Sequence, residues 1–159
     1  MPIRINYPQL SHESYKILMS LEQSLAGSSV DKTIRDLIKI RVSQINGCLF
    51  CNDMHVKEAR THGERELRLH HLAFWHESAL FNPKEKAALE WAELVTKMPG
   101  KGIEDKDFGK AREFFSEKEL SDLTFIIGTI NMWNRFGVAF RPNPGDLDKI
   151  MGLDKIGLV

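Results

Sequence analysis

The sequence has no excess of charge of either sign. Its 159 residues include 22 Lys and Arg and 22 Asp and Glu, so the formal net charge is zero. It also has no basic stretch interleaved with aromatic residues, the pattern that typically marks a nucleic-acid-binding surface. A chain without a net positive field does not attract nucleic acid or an anionic membrane surface. We therefore expect neither among its partners.

Long apolar segments are also missing. The longest apolar stretch, near residues 125–133, is interrupted by Gly128, Thr129 and Asn131. It is well short of the roughly 20 residues that a membrane-spanning helix needs. The first residues, MPIRINYPQL, lack the apolar core of a signal peptide. These absences predict a cytoplasmic protein.

Cysteine is scarce, and the whole chain contains only Cys48 and Cys51. Structural disulfides are rare in the cytoplasm, because reducing systems keep thiols reduced there. A close pair of cysteines in that compartment is more often catalytic, redox-sensing or metal-binding. The pair is therefore the first candidate for a functional site.

Helical spacing of apolar residues runs through nearly the whole chain, and no segment alternates as a half-buried strand does. Asp31 is a predicted N-cap, Asn82 and Ser116 each open a predicted capping box, and Gly47 is a predicted helix stop. The pattern predicts a single all-α domain over residues 1–159. The predicted helices span residues 9–26, 32–46, 48–61, 64–75, 83–98, 105–114 and 117–137, with an irregular tail from Arg141.

The last predicted helix is apolar nearly all round. Leu120, Leu123, Ile127 and Ile130 form one apolar stripe, and further apolar residues cover the other sides. A helix of this kind must be buried on most of its faces. Since a small domain offers few interior positions, a subunit interface is a natural partner, and we expect a homo-oligomer.

Polar residues on the same helix, Asn131, Asn134 and Arg135, cluster on one face. We expect them to join subunits through a buried polar network rather than to line a pocket. The histidines outside the cysteine motif, including His62, are expected to be surface residues or hydrogen-bonded core residues.

The two cysteines lie three residues apart at a predicted helix start, directly after Asn46 and Gly47. The first turn of a helix brings such residues together, and its unpaired N–H groups favour a thiolate. His55 follows four residues after Cys51, on the same helix face. An imidazole there can accept the proton of Cys51 and activate it as a nucleophile.

Three other interpretations of the pair remain open at this point. The cysteines can be buried and inert. With His55 they can also belong to a structural zinc site, although no fourth ligand is evident in the sequence. Finally, they can form a redox-sensing disulfide without a catalytic role.

The stretch KIRVSQINGCLFCNDMH at residues 39–55 carries both cysteines and His55. It continues into KEAR at 57–60, GE at 63–64, RL at 68–69, EKAALEWAE at 85–93 and INMWNR at 130–135. These segments closely resemble the carboxymuconolactone decarboxylase-like superfamily, and within it the alkylhydroperoxidase D-like branch. The resemblance is specific over roughly residues 32–97 and 120–140.

The resemblance implies an all-helical bundle that forms trimers or hexamers and reduces peroxides through a CxxC disulfide. It implies that Cys51 attacks the peroxide, that Cys48 resolves the product into a disulfide, and that His55 shuttles the proton of Cys51. The implied partners are a peroxide, in particular an organic hydroperoxide, and a dithiol or protein reductant. We expect no cofactor and no bound metal.

Asp36, twelve residues before the first cysteine, occupies the acidic position of the family's proton relay. Relatives typically have Glu there, so the shorter side chain needs a bridging water to reach His55 or Cys51. An ion pair with Arg35, Lys39 or Arg41 on a solvated face is the alternative for this carboxylate.

Phe50 departs from the family pattern too. Some peroxidases of the group have a second histidine between the cysteines, and a phenylalanine cannot carry protons. It can instead line an apolar entrance for an organic peroxide.

Two functions outside peroxide reduction remain as alternatives. One is lactone decarboxylation, the reaction that names the superfamily, which needs no dithiol and fits the cysteine pair poorly. The other is a non-enzymatic module that binds zinc or senses redox state.

Overall fold

The computed structural model describes residues 2–155, and within that range it contains helices and no strand. The all-α prediction is confirmed. The α-helices are α1 (Tyr7–Leu10), α2 (His12–Ala26), α3 (Lys32–Asn46), α4 (Leu49–Thr61), α5 (Glu66–His71), α6 (Pro83–Lys97), α7 (Asp105–Phe114), α8 (Glu117–Phe140) and α9 (Asp148–Met151), and a short 3-10 helix (Leu72–Phe74) follows α5. Among residues 2–155, none of these helices is long and apolar enough to cross a membrane.

Helix α3 begins and ends as its sequence predicts. The carboxylate of Asp31 accepts the backbone N–H groups of Thr33 and Ile34 at 2.8 and 3.4 Å. Gly47 ends the helix with a φ of +66°, a left-handed conformation that glycine adopts without a steric penalty. The chain therefore turns sharply at Gly47, directly before the first cysteine.

The two predicted capping boxes are present. Asn82 accepts the N–H of Glu85 at 2.9 Å at the start of α6, and Ser116 accepts the N–H of Glu119 at 3.2 Å at the start of α8. In both boxes the glutamate accepts the N–H of the N-cap residue in return, at 2.8 Å. Helix α8 extends to Phe140, a little further than the 137 predicted, and brings its last turn beside the cysteines.

The predicted helix over residues 9–26 is wrong at its start. Ser11 has non-helical dihedral angles (φ −118°, ψ 47°) and separates α1 from α2. The break turns α1 so that Tyr7 stacks on Phe136 of α8, at 4.8 Å between ring centroids. A long-range aromatic contact therefore takes precedence over the local helical pattern.

The predictions for residues 64–75 and for the tail also need correction. The first segment divides into α5 and the 3-10 helix, and the tail contains α9 rather than only irregular chain. Asp148, at the first position of α9, pairs with the buried Lys57 of α4 at 2.7 Å. This ion pair ties the tail to the helix that carries the cysteines. The last four positions of the predicted tail, 156–159, lie outside the described residues.

Helix α3 lies at the centre of the bundle and packs against α4, α6 and α8. Its apolar residues serve two cores: Ile38 and Val42 belong to the first, and Leu37 and Ile40 to the second. Burial of such a side chain contributes roughly 1.5–3 kcal/mol. The first core also contains both cysteines and the apolar face of α8. The redox candidates are therefore set into the packed interior, between α3, α4 and α8.

Candidate functional site

Cys48 is the N-cap residue of α4, and Cys51 lies in the first turn of that helix. The Sγ atom of Cys48 accepts the backbone N–H of Cys51 at 3.4 Å, and the two Sγ atoms are 2.7 Å apart. Both residues are free cysteines with 2% and 3% of their surface exposed. A disulfide requires about 2.05 Å between the sulfurs, so a small movement is enough to form one.

The two thiols differ in acidity because of this arrangement. The hydrogen bond with Cys51 is the largest cause that lowers the pKa of Cys48 to about 7, and the N–H of Cys51 adds to it against the opposing effect of burial. The same hydrogen bond, together with burial and the charge of Cys48, raises the pKa of Cys51. The arrangement thus favours a thiolate on Cys48 over one on Cys51.

Gly137 of α8 forms the wall opposite the sulfurs. A Cβ atom at this position would lie 2.4 Å from Sγ of Cys48 and 3.4 Å from Sγ of Cys51. The distance of 2.4 Å is far inside van der Waals contact, so a side chain here would displace Sγ of Cys48, whereas 3.4 Å is an ordinary close contact with Cys51. The absence of a side chain at Gly137 is what allows α8 to approach the cysteines so closely.

Asn134, one turn before Gly137, is fully buried and interacts with both thiols, lowering the pKa of each. Its amide is held by Ser43 at 3.1 Å and by Asn46 at 2.9 Å. Asn46 also binds Asn131 at 2.9 Å. The polar network that we expected at a subunit interface therefore forms within the chain, between α3 and α8.

Arg135, the third member of that predicted cluster, also bonds within the chain. Its Nη1 donates to the side-chain oxygen of Asn46 at 3.0 Å. Arg135 itself lies at the surface.

His55 is buried, with 5% of its surface exposed, and lies one turn beyond Cys51 on α4. Its Nδ1 is 2.8 Å from Oε2 of Glu58. Burial raises the pKa of Glu58, but the hydrogen bond and charge of His55, with Lys39 and His62, outweigh it and bring the value to about 2. Glu58 is therefore an anion that orients the imidazole and leaves its Nε2 as the nitrogen for proton exchange.

Asp36 is directed elsewhere. Its carboxylate lies 2.6 Å from Nδ1 of His62, and among the described side chains its hydrogen bond goes to this residue and not to His55. It is also not bonded to Arg35, Lys39 or Arg41, the predicted alternatives. Burial raises the pKa of Asp36, and the contact with His62 partly offsets this. The structure brings the sulfurs of Cys48 and Cys51 together, places His55 one turn further along α4, and gives Asp36 a separate partner.

The Asp36–His62 pair lines a small polar pocket of about 330 Å³ with Thr33, Arg65 and Arg68. Arg68 is held there by Glu64 and Glu85, so it belongs to an internal ion-pair network. Nothing links this pocket to the sulfurs by a direct hydrogen bond among the described residues.

Phe50 is half-buried and packs against the apolar core that holds the cysteines. This is consistent with an apolar surrounding for the pair. As for metals, the described residues 2–155 contain no group of three or more His, Cys, Asp or Glu side chains placed to hold an ion.

Sequence reasoning missed Glu58, Gly137 and the contact of Asn134 with the thiols. The contact of Glu58 with His55 could have been predicted, because residues three apart on a helix are neighbours and these two have that spacing. Gly137 and Asn134 reach the cysteines only through the packing of α8 on α4, which no local pattern reveals.

The fold and the sequence place the chain among known proteins. The model of the carboxymuconolactone decarboxylase family matches residues 12–94. The uncharacterized protein YdfG of Bacillus subtilis (strain 168) is 45% identical over 139 residues, which cover 87% of this chain and 95% of YdfG.

Solved structures agree with these matches. ATU0492 of Agrobacterium tumefaciens, a protein of unknown function proposed to be the antioxidant defence protein AhpD, has a TM-score of 0.85 at 42% identity, covering 89% of this chain and 97% of that one. The alkylhydroperoxidase AhpD core of an uncharacterized peroxidase-related protein from Ralstonia eutropha JMP134 shares the fold, with a TM-score of 0.77 at 23% identity over 91% and 78% of the two chains. The chain belongs to the carboxymuconolactone decarboxylase family and has the AhpD-like fold.

Proposed function

We propose that the protein is a thiol-dependent peroxidase that cycles a disulfide between Cys48 and Cys51. The observation that carries this proposal is the pair itself: two buried thiols 2.7 Å apart, one of them with its pKa lowered to about 7. A thiolate next to a thiol is the arrangement that converts a sulfenic acid into a disulfide. The antioxidant role proposed for ATU0492 agrees with it.

The geometry favours Cys48 as the nucleophile. The thiolate is the reactive form of cysteine, and it is favoured at Cys48 because the Sγ of this N-cap residue accepts the N–H of Cys51. The family resemblance implies the reverse order, with Cys51 attacking first. We assign the first attack to Cys48 because its pKa is the one that is lowered.

The cysteine pair supplies two electrons and the proton of Cys51, and solvent supplies the second proton, which the alkoxide takes up. The Cys48 thiolate bonds to the terminal peroxide oxygen, the O–O bond breaks, and the alkoxide takes a proton to leave as an alcohol. Cys51 then loses its proton to Nε2 of His55 and attacks the sulfenic sulfur, which forms the disulfide and releases water. A dithiol or a protein thiol reduces the disulfide and restores the pair.

His55 and Glu58 serve the second step in this proposal. A protonated imidazole is stabilised by an adjacent carboxylate, as in other catalytic histidine–carboxylate pairs. Glu58 lies 2.8 Å from Nδ1 of His55 and remains charged at neutral pH. The role in the relay that the resemblance gives to Asp36 therefore passes to Glu58.

The proposal is tested with the reduced protein and an organic hydroperoxide. We expect one peroxide consumed per protein, loss of both thiols, and a peptide containing the Cys48–Cys51 disulfide. Cys48→Ser should abolish oxidation, while Cys51→Ser should stop at a sulfenic acid on Cys48 that dimedone traps. Trapping on Cys51 in Cys48→Ser would reverse the order of attack. Unchanged thiols in the wild-type protein would refute the peroxidase proposal.

A further inference from the structure

Asn134 of α8 is fully buried, with 0% of its surface exposed. Its amide nitrogen donates to Oγ of Ser43 at 3.1 Å, and the backbone carbonyl of the same serine accepts the N–H of Cys48 at 2.9 Å. One turn further along α8, a Cβ atom at Gly137 would lie 2.4 Å from Sγ of Cys48. Because side chains three residues apart on a helix are neighbours, the sulfurs lie within reach of the Asn134 amide.

The hydrogen bonds around Asn134 fix the direction of its amide. Arg135 carries only donors, so its contact of 3.0 Å identifies the oxygen of Asn46, and the nitrogen of Asn46 is the donor to Oδ1 of Asn134 at 2.9 Å. The hydroxyl hydrogen of Ser43 goes to the carbonyl of Lys39 at 2.7 Å, so the serine oxygen accepts from Asn134. The Nδ2 group of Asn134 therefore lies on the side of Ser43.

One N–H of this amide remains after the bond to Ser43. The NH2 group of an asparagine has two donors, and among residues 2–155 Ser43 is the one oxygen or nitrogen partner of Nδ2. A buried donor normally has a partner, and a thiolate within reach is a strong acceptor. The hydrogen bond with Cys51 is the largest cause that lowers the pKa of Cys48 to about 7, and a hydrogen bond from Asn134 acts in the same direction.

We propose that Asn134 is the thiolate-binding residue of the site, and that its second N–H donates to Sγ of Cys48 when this sulfur carries the negative charge. The inference deepens the function proposed above and rests on it, because there the Cys48 thiolate makes the first attack. The backbone N–H of Cys51 supplies one donor to the sulfur from α4, at 3.4 Å, and Asn134 supplies a second from α8. Both donors are amides that do not titrate, so they stabilise the thiolate in a buried site throughout the physiological pH range.

The ionisable groups near the pair belong to other residues. On α4 the group is His55, one turn beyond the cysteines. On α1 it is Tyr7, which stays neutral because burial, with the charges of its neighbours, raises its pKa to about 12. On α8 it is Arg135, which lies at the surface, and α3 contributes Ser43, which does not titrate. An uncharged replacement of Asn134 leaves all of these in place, so a change in thiol acidity reports the lost hydrogen bond.

Asn134→Leu removes both donors, keeps a side chain of similar shape and adds no charge. The reduced protein is titrated with base while the thiolate is followed by its ultraviolet absorbance, a measurement that needs neither peroxide nor access for a reagent. We expect the apparent pKa of the cysteine pair to rise by about one to two pH units, the scale of one hydrogen bond to a charged group. Single-turnover oxidation by tert-butyl hydroperoxide at pH 7 should slow about tenfold, because the thiolate fraction falls.

Asn131→Leu is the matched control. Asn131 is the other asparagine of α8 that Asn46 binds, at 2.9 Å, and it lies one turn before Asn134. Its own amide nitrogen is engaged by Thr96 at 3.0 Å and by the carbonyl of Ile127 at 2.9 Å. The control variant therefore loses a bond to Asn46, as Asn134→Leu does, and should keep the thiol pKa of the wild type.

Asn134→Ala, which also lacks the donors, takes the place of Asn134→Leu if the leucine variant does not fold. An unchanged thiolate titration in either folded variant would overturn the inference. So would an equal shift in Asn131→Leu, because the network would then act through Asn46 alone. A wild-type protein whose thiols peroxide does not oxidise would refute the peroxidase proposal, and with it the role of this thiolate in the attack, even where the titration shifts as expected.

Discussion

Gly137 occupies the position where α8 meets the two sulfurs, and its hydrogen atom stands where other residues carry Cβ. A methyl group at this point would be 2.4 Å from Sγ of Cys48. The sulfur cannot withdraw, because Cys48 is 2% exposed and fixed as the N-cap of α4. Replacement of Gly137 therefore acts on the site as well as on the helix.

Gly137→Ala is expected to destabilise the protein by about 1–3 kcal/mol, the usual cost of overpacking a core. Glycine to alanine within a helix would otherwise stabilise by roughly 0.5–1 kcal/mol. Gly109→Ala in α7 is the control, since a Cβ there meets nothing within 4 Å. Denaturant unfolding of the two variants should give shifts of opposite sign. A stabilised Gly137→Ala would contradict the close packing described here.

Glu58 is predicted to matter more than Asp36 for the reaction, because Glu58 is the carboxylate that contacts His55. We expect Glu58→Gln to slow disulfide formation after peroxide attack by about tenfold or more, since the imidazolium loses its charged partner. Asp36→Asn serves as the comparison and should change this step much less. Stopped-flow measurement of the second oxidation step decides between the two carboxylates, and a larger effect at Asp36 would restore its predicted relay role.

At the scale of the helices, the carboxylate of Glu93 links α6 to α3. Glu93 of α6 accepts Nε of Arg41 at 2.9 Å, Nε1 of Trp75 at 2.8 Å and Nζ of Lys97 at 2.7 Å. Burial raises its pKa, but these donors outweigh it and bring the value to about 2. The contact links the central helix to α6 and to the residue that follows the 3-10 helix.

Glu93→Gln should lower the free energy of unfolding by about 2–3 kcal/mol at pH 7, the scale of hydrogen bonds to a buried charge. Because the folded pKa lies below the ordinary value of 4.5, this stabilisation is present above pH 4.5 and is lost as pH falls toward 2. The gap between wild type and variant should therefore narrow between pH 5 and pH 2. Glu90→Gln, which breaks an exposed pair with Lys110, should change stability by less than about 1 kcal/mol. A gap that stays constant with pH would contradict this account.

Most of the helices were predictable because their ends carry local signals. Asp31, Asn82 and Ser116 cap their own helices, and Gly47 ends one, through contacts within a few residues. The break at Ser11 was not predictable. It depends on the stacking of Tyr7 on a residue far along the chain, and such contacts leave no periodic pattern.

The candidate site was likewise predictable where its residues are close in sequence, and not where they meet through long-range packing. Cys48, Cys51 and His55 share one helix, so their spacing was enough to place them together. The partner of Asp36 could not be predicted from residue spacing. His62 lies at the end of α4, and it meets Asp36 of α3 only when the two helices pack.

At the scale of the whole molecule, an apolar groove of about 610 Å³ runs along the outer face of α8. Phe125 and Met132 are 57% and 48% exposed there, while the inner face of α8 is buried. An exposed apolar surface of this kind commonly marks an interaction site. The groove is lined by Leu21, Trp91, Phe108, Leu120, Phe125 and Met132, among others.

We predict that the homo-oligomer expected from the sequence forms its subunit interface at this groove. Phe125→Asp should convert the oligomer to monomers, because a carboxylate in an apolar interface is desolvated without a partner. Phe74→Asp, at a phenylalanine outside the groove that is even more exposed than Phe125, should leave the mass in solution unchanged. Light scattering after size exclusion measures both. An oligomer that survives Phe125→Asp would place the interface elsewhere.

The close wall at Gly137 also bears on what happens to the cysteines under excess peroxide. Sulfinic and sulfonic acids add oxygen atoms to a sulfur, whereas a disulfide draws two sulfurs together and occupies less space. A compartment already filled by Sγ of Cys48 against the α8 backbone has little room for the larger products. If the protein is the peroxidase proposed above, we expect the tight packing at Gly137 to favour the reversible disulfide over irreversible oxidation of the cysteines.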